Sequence, residues 1–185
     1  MRACLSRGAW AATLVAVCAV WGGPPAIAQD VPPEYQLKAA FLYHFPQFVD
    51  WPPRVLAPDR PVSICVLSPN PFGRVLDEMA DGASIASHPL VVRSVEATGR
   101  VDSCQVLFLS GKAPGRDLVL KRVSGLPVLT VSDDDHFLDA GGMIELRVVS
   151  NKVRFDVSLA AARSSGLHLS AQLLRLASHV RGGSQ

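Results

Sequence analysis

Hydrophobic and polar positions along the chain fall into three zones of different period. Residues 35–45, YQLKAAFLYHF, are apolar over several helical turns, and Lys38 is their only charged member. That pattern predicts a helix buried around most of its circumference. Pro32, Pro33 and Glu34 supply its start, with prolines in the first turn and an acid near the N-terminus. Pro46 kinks or ends it, and Trp51-Pro52-Pro53 stops it.

The middle zone alternates short β-rich runs with amphipathic ones. Residues 61–68, 89–95, 104–110 and 127–131 read as four strands, and 71–79 and 116–123 as helices. The third strand is almost continuously apolar, as expected of a strand covered on both faces. Repeated βα units predict an α/β fold of three layers, a mainly parallel sheet flanked by helices. In the last zone the period becomes two. Residues 143–149 and 152–157 alternate about Ser150-Asn151, which predicts a C-terminal β-hairpin. A helix pair at 159–164 and 170–180, separated by Gly166, closes the chain.

The first 28 residues stand apart from this scheme. Arg2 and Arg7 precede an apolar stretch of about 13 residues, and Ala26-Ile27-Ala28 is a small-x-small cleavage pattern. Residues 1–28 are therefore expected to be a cleaved secretory signal peptide, and 29–185 a single exported α/β domain. The Gly22-Gly23-Pro24-Pro25 break opposes a spanning helix, which needs about 20 apolar residues. Val17 before Cys18 is bulkier than lipoprotein sites accept, so the exported form is expected to be soluble.

This processing changes the reading of charge. The whole chain has 18 Lys+Arg against 16 Asp+Glu, a net charge of +2. Cleavage removes Arg2, Arg7 and no acid, leaving 16 of each sign. The remaining basic residues form no cluster in the sequence that tracks phosphates, which argues against nucleic acid as a partner. Apolar residues at 49% and charged ones at 18% exclude disorder.

Cys4 and Cys18 leave with the signal, so Cys65 and Cys104 remain. An oxidising compartment favours one disulfide between them, two buried free thiols being the alternative. Such a bond requires Cα atoms within about 7 Å. It would make the first and third strands neighbours and give the order 2-1-3-4.

Catalytic and cofactor motifs are missing. Neither a G-x-G-x-x-G nor a P-loop occurs, and no G-x-S-x-G elbow or H-E-x-x-H pair. Residues 68–73, SPNPFG, follow the first strand where α/β proteins place ligands, but a turn and helix cap explain them equally well. Asp133-Asp134-Asp135-His136 concentrates metal-type ligands, yet adjacent residues rarely converge on one cation. Ser132 and Asp133 are read instead as caps of a short turn. No cofactor and no metal are expected. The hairpin and following helix hold Arg147, Asn151, Arg154, Asp156 and Arg163. Arg154 and Asp156 lie two apart on one strand, so they share a face and can pair. Asn151, Arg154, Asp156 and Arg163 form the candidate partner- or ligand-binding patch, with a solvated face or structural salt bridge as the plainer reading.

Several segments together resemble the YfiR-like family of exported proteins. They are EYQLKAAFLYHFPQFVDWP (34–52), ICVLSPNPFG (64–73), CQVLFLS (104–110), PVLTVSDDDHF (127–137) and, most specifically, residues 141–177. The resemblance implies an α/β fold with a disulfide like Cys65–Cys104, usually as a homodimer. It implies a periplasmic regulator, not an enzyme, that represses the periplasmic sensor region of an inner-membrane diguanylate cyclase. An OmpA-like outer-membrane lipoprotein sequesters such repressors and releases cyclic di-GMP synthesis. Some relatives carry a second disulfide near the hairpin, where this chain has no cysteine. A small-molecule-binding component of another membrane sensor, such as a histidine kinase, is the main alternative; an enzyme is a third.

Overall fold

The computed structural model describes residues 31–58 and 60–182, so the signal expected at 1–28 lies outside the described residues. Helix α1 spans Pro33–His44 and passes at Pro46 into a 3₁₀ turn, Phe45–Phe48, followed by strand β1, Val49–Asp50. Then come β2 (Val62–Leu67), α2 (Val75–Ala80), β3 (Ser84–Ile85), β4 (His88–Val95) and β5 (Val106–Leu109). Next are α3 (Arg116–Val123), β6 (Leu129–Ser132), β7 (Ile144–Val149), β8 (Lys152–Ser158) and α4 (Leu159–Ser164). The chain continues through β9 (His168–Leu169), α5 (Ala171–Leu176) and β10 (His179–Arg181).

Eight strands form one mixed sheet in the order β10-β8-β7-β6-β5-β2-β4-β3, and β1 pairs with β9 separately. The contiguous strands β4, β2, β5, β6 and β7 are mutually parallel. The four strands expected from the middle zone thus lie in the order 2-1-3-4. The Cys65–Cys104 disulfide crosses from β2 to the start of β5 with a Cα separation of 5.8 Å.

Alternation along the central strands builds three layers. Ile64 and Val66 of β2 join Leu42 of α1 and Leu76 of α2 in one core. Cys65 and Leu67 face the opposite side with Val119 and Val123 of α3. Since β2, β5 and β6 are buried at every position, both sheet faces are covered there, as the apolar third strand predicted. No helix among the described residues is long and apolar enough to cross a membrane.

Three local expectations change. The segment expected to be helical at 71–79 turns first and becomes helical only at Val75. Asn70 holds that turn by accepting the Phe72 N–H at 2.9 Å. The helix expected at 170–180 ends at Leu176. Ala177 is extended and Ser178 donates to the Phe155 carbonyl at 2.8 Å, which draws 179–181 into the sheet edge parallel to β8. Here the unpaired edge of β8 outweighs the helical periodicity of the sequence. Helix α1, finally, buries its one charged residue of the expected apolar run: Lys38 is 5% exposed whereas Leu37 is 50% exposed.

Candidate functional site

Helix α1 is fixed to the sheet by a buried polar cluster. Lys38 Nζ donates to Asp133 Oδ2 at 3.0 Å, and Tyr35 Oη donates to the same oxygen at 2.8 Å. The Gly111 N–H donates to Asp133 Oδ1 at 3.0 Å. Both charged side chains are 6% exposed. Burial pushes the Asp133 carboxyl up, but hydrogen bonds from Gly111, Lys38 and Tyr35 outweigh it and hold it below the usual carboxylate range. Burial, then the bond to Asp133, pushes the Tyr35 hydroxyl above its ordinary value. Asp133 was expected to cap a turn. Ser132 takes that role, its Oγ accepting the Asp134 N–H at 3.1 Å, which leaves Asp133 for α1.

With one stripe of α1 locked down, a second stripe is left facing an open groove. Phe41 from α1, Phe45 and Phe48 from the 3₁₀ turn, Phe155 from β8, and Leu173 and Leu176 from α5 surround a cavity of about 280 Å³. The rings of Phe41 and Phe45 stand edge-on to Phe155, with centroids 5.7 and 5.3 Å away. Leu176, 62% exposed, extends the groove toward solvent, and Leu37 is an exposed apolar residue of α1. Phe45, Phe155 and Leu173 are buried and form its floor, while Phe41, Phe48 and Leu176 reach solvent at its rim, so the concavity is apolar in character.

The β7–β8 hairpin flanks this groove through Phe155. Its turn residues Ser150 and Asn151 have φ of 49° and 61°, the left-handed pair required by a tight two-residue hairpin turn. Asn151 and Arg154 are exposed, and Val148 and Val149 beside them are exposed apolar residues. Asp156 is buried and shares the sheet face of Arg154, but its carboxylate binds Arg147 from the neighbouring strand instead. His179 Nδ1 of β10 contacts the other carboxylate oxygen at 3.1 Å. The expected direct Arg154–Asp156 pair is therefore not formed. Register explains this: Arg154 lies opposite Arg147 and Asp156 opposite Glu145, so the diagonal brings Arg147 to Asp156. Arg163 is exposed on α4 and shares no hydrogen bond or ion pair with Asn151, Arg154 or Asp156 among the described residues.

The groove is absent from the sequence reading because apolar periodicity shows which residues avoid water, not which lack a cover. The signal that pointed to it was the width of the apolar band on α1, too wide for one contact stripe. No three of the described His, Cys, Asp and Glu residues are grouped as metal ligands.

Residues 35–178 match a protein-family model described as YfiR/HmsC-like. No curated protein matches the chain significantly. Among solved structures, a conserved domain protein from Vibrio cholerae O1 biovar El Tor strain N16961 superposes with a TM-score of 0.53 at 9% identity. The superposition covers 80% of this chain, and the chain spans 60% of that structure's length. At such identity the likeness is one of fold, a sheet flanked by helices.

Proposed function

The chain belongs to the YfiR/HmsC-like family of periplasmic regulators, and from that premise we propose that it represses an inner-membrane diguanylate cyclase. It binds the periplasmic sensor region of the cyclase and so controls cyclic di-GMP signalling. The observation that supports this reading is the open groove of Phe41, Phe45, Phe155, Leu173 and Leu176 beside the exposed hairpin. Apolar concavities of this kind seat aromatic or aliphatic anchors of a partner protein. Asn151, Arg154 and Arg163 supply polar contacts around that docking, and Asp156 positions Arg147.

Repression follows from linkage. The protein must bind the inactive arrangement of the cyclase more tightly than the active one, because equal affinity shifts nothing. An OmpA-like outer-membrane lipoprotein that competes for the repressor releases the cyclase by mass action. A homodimer is the working form in this reading.

Pull-down against the cyclase sensor domain tests the proposal. Leu176→Glu, at a mostly exposed position, is expected to change stability by less than about 0.5 kcal/mol while abolishing capture. Failure of the unmodified protein to bind, with cyclic di-GMP unchanged on its deletion, rejects repression. The alternative, a small-molecule-binding component of another membrane sensor such as a histidine kinase, is supported by a second cavity, which is lined by Arg54, Arg60, Arg93 and Arg100. A large thermal stabilisation by one metabolite without capture of any cyclase favours that reading.

A further inference from the structure

We propose that the amino-terminal end of the parallel sheet is a binding cleft for a small polyanion carrying carboxylate or phosphate groups. The cleft is a cavity of about 420 Å³ that shares no lining residue with the apolar groove. Its walls carry Arg54 and Arg60 from the segment before β2, Arg93 from β4, and Arg100 from the loop before β5. The described carboxylate among its lining is Asp102, which Arg100 holds at 3.3 Å. That hydrogen bond holds the Asp102 carboxyl below its ordinary range. Four guanidinium groups therefore meet one described carboxylate. Counting Asp59, the sequence neighbour of Arg60, against them still leaves an excess of two positive charges.

The floor is polar, buried and supplied with donors. Gln105 is 5% exposed, and its Oε1 accepts the Ser63 N–H at 2.8 Å. The Gln105 N–H in turn donates to the Ser63 carbonyl at 3.0 Å, which fixes the residue. Once Oε1 is engaged, the carboxamide offers its NH₂ group, which has no partner among the described residues. Arg93 Nη2 donates to Ser103 Oγ at 3.0 Å and lies 3.6 Å from the disulfide sulfur of Cys65. Its Nε and Nη1 remain without partners among the described residues.

The wall carrying Arg100 and Ser103 is braced in advance. Arg122 of α3 donates to the carbonyls of Ala97 at 2.6 Å and Gly99 at 2.8 Å, and the disulfide ties Cys104 to β2. Planar guanidinium forks on fixed walls suit the bidentate oxygens of carboxylate and phosphate. The volume is that of a metabolite-sized ligand, and the concave, buried donor floor favours a small molecule over a flat acidic protein surface. Like charges gathered around a cavity repel one another, and an anion relieves that repulsion while it binds. This assignment stands whether or not the protein represses a cyclase.

Titration calorimetry of the mature protein with pyrophosphate and with citrate, at fixed ionic strength, tests the cleft. Saturable one-site binding of either probe, weakening as salt rises, is expected. Preference for pyrophosphate identifies phosphate as the recognised group, and preference for citrate identifies carboxylate. Arg60→Gln and Arg93→Gln should each weaken binding about tenfold, whereas Arg154→Gln on the hairpin leaves it unchanged. Arg60 is exposed, so its variant remains informative if Arg93→Gln fails to fold. Absence of saturable binding by both probes overturns the proposal. So does binding that Arg60→Gln leaves intact, or that Arg154→Gln weakens as much.

Discussion

The two ends of the parallel sheet treat positive charge in opposite ways. At the carboxyl ends of β5 and β6, two cations are matched to carboxylates. Lys38 is buried against Asp133, and Arg116 contacts Asp134 at 2.7 Å and Asp117 at 2.9 Å. At the amino ends, Arg54, Arg60, Arg93 and Arg100 crowd one cleft with Asp102 as its described carboxylate. There the mechanical link is covalent, the Cys65–Cys104 bond. An ion pair can hold an element in place only if its charges are committed to each other. A covalent staple leaves neighbouring charges available for a ligand. The difference separates charge that builds the fold from charge that awaits a partner.

Asp133→Ala should give the largest effect, because it leaves the buried Lys38 with only the half-exposed Glu34 carboxylate, 3.7 Å away, as counter-charge. Breaking one partner of a buried pair costs about 3–5 kcal/mol, and the Tyr35 hydroxyl and Gly111 N–H lose their acceptor as well. Thermal unfolding should show a fall of roughly 10 °C for a domain of this size. A change below 1 kcal/mol would mean that water reaches Lys38 and that the matched end is not held by charge. The pH dependence sharpens the same point. A carboxyl whose folded pKa lies below its unfolded value stabilises the protein above the unfolded value, near pH 4. That contribution disappears as pH falls through the lower folded value. The gap in melting temperature between the unmodified protein and Asp133→Asn should therefore be full at pH 7 and narrow below pH 4.

Cys65→Ser removes the link at the other end. Closing the 39-residue separation contributes about 4 kcal/mol in the chain-entropy model, an upper figure since strain and residual structure subtract from it. Lower melting temperature and faster proteolysis are expected, with anion affinity in the cleft falling as the Cys104 wall loosens. An unchanged melting temperature would show the bond to be inconsequential and would remove the mechanical contrast between the ends.

Much of this framework was legible before any coordinates. The cysteine pair gave the neighbours of β2, the prolines gave the end of α1, and Ser150-Asn151 gave the hairpin turn, since each rests on local geometry or a covalent distance. What stayed hidden depends on residues far apart in the chain. Lys38 and Asp133 are 95 positions apart, and nothing local distinguishes a buried lysine from a solvated one. The four arginines of the cleft come from three separate segments and converge only through the order of the strands. Within the hairpin, shared face was readable from spacing two. The choice of Arg147 over Arg154 by Asp156 required the cross-strand register. The edge strand β10 is not legible from period alone, because what recruits it is the otherwise empty edge of β8.

The smallest effect should come from Arg60→Gln, and its sign is the most discriminating. At the matched end, deleting a cation leaves a buried carboxylate without its counter-charge. At the unmatched end it removes one of several like charges from an exposed cleft, so stability should change by no more than about 0.5 kcal/mol, upward if at all. Added salt should then raise the melting temperature of the unmodified protein more than that of Arg60→Gln, because the variant has less repulsion to screen. Saturating pyrophosphate should reverse the order, stabilising the unmodified protein with the logarithm of the ligand excess over its dissociation constant. A loss above 1 kcal/mol in ligand-free buffer would instead show Arg60 already committed to a carboxylate. Both ends of the sheet would then use charge in the same way, as structure.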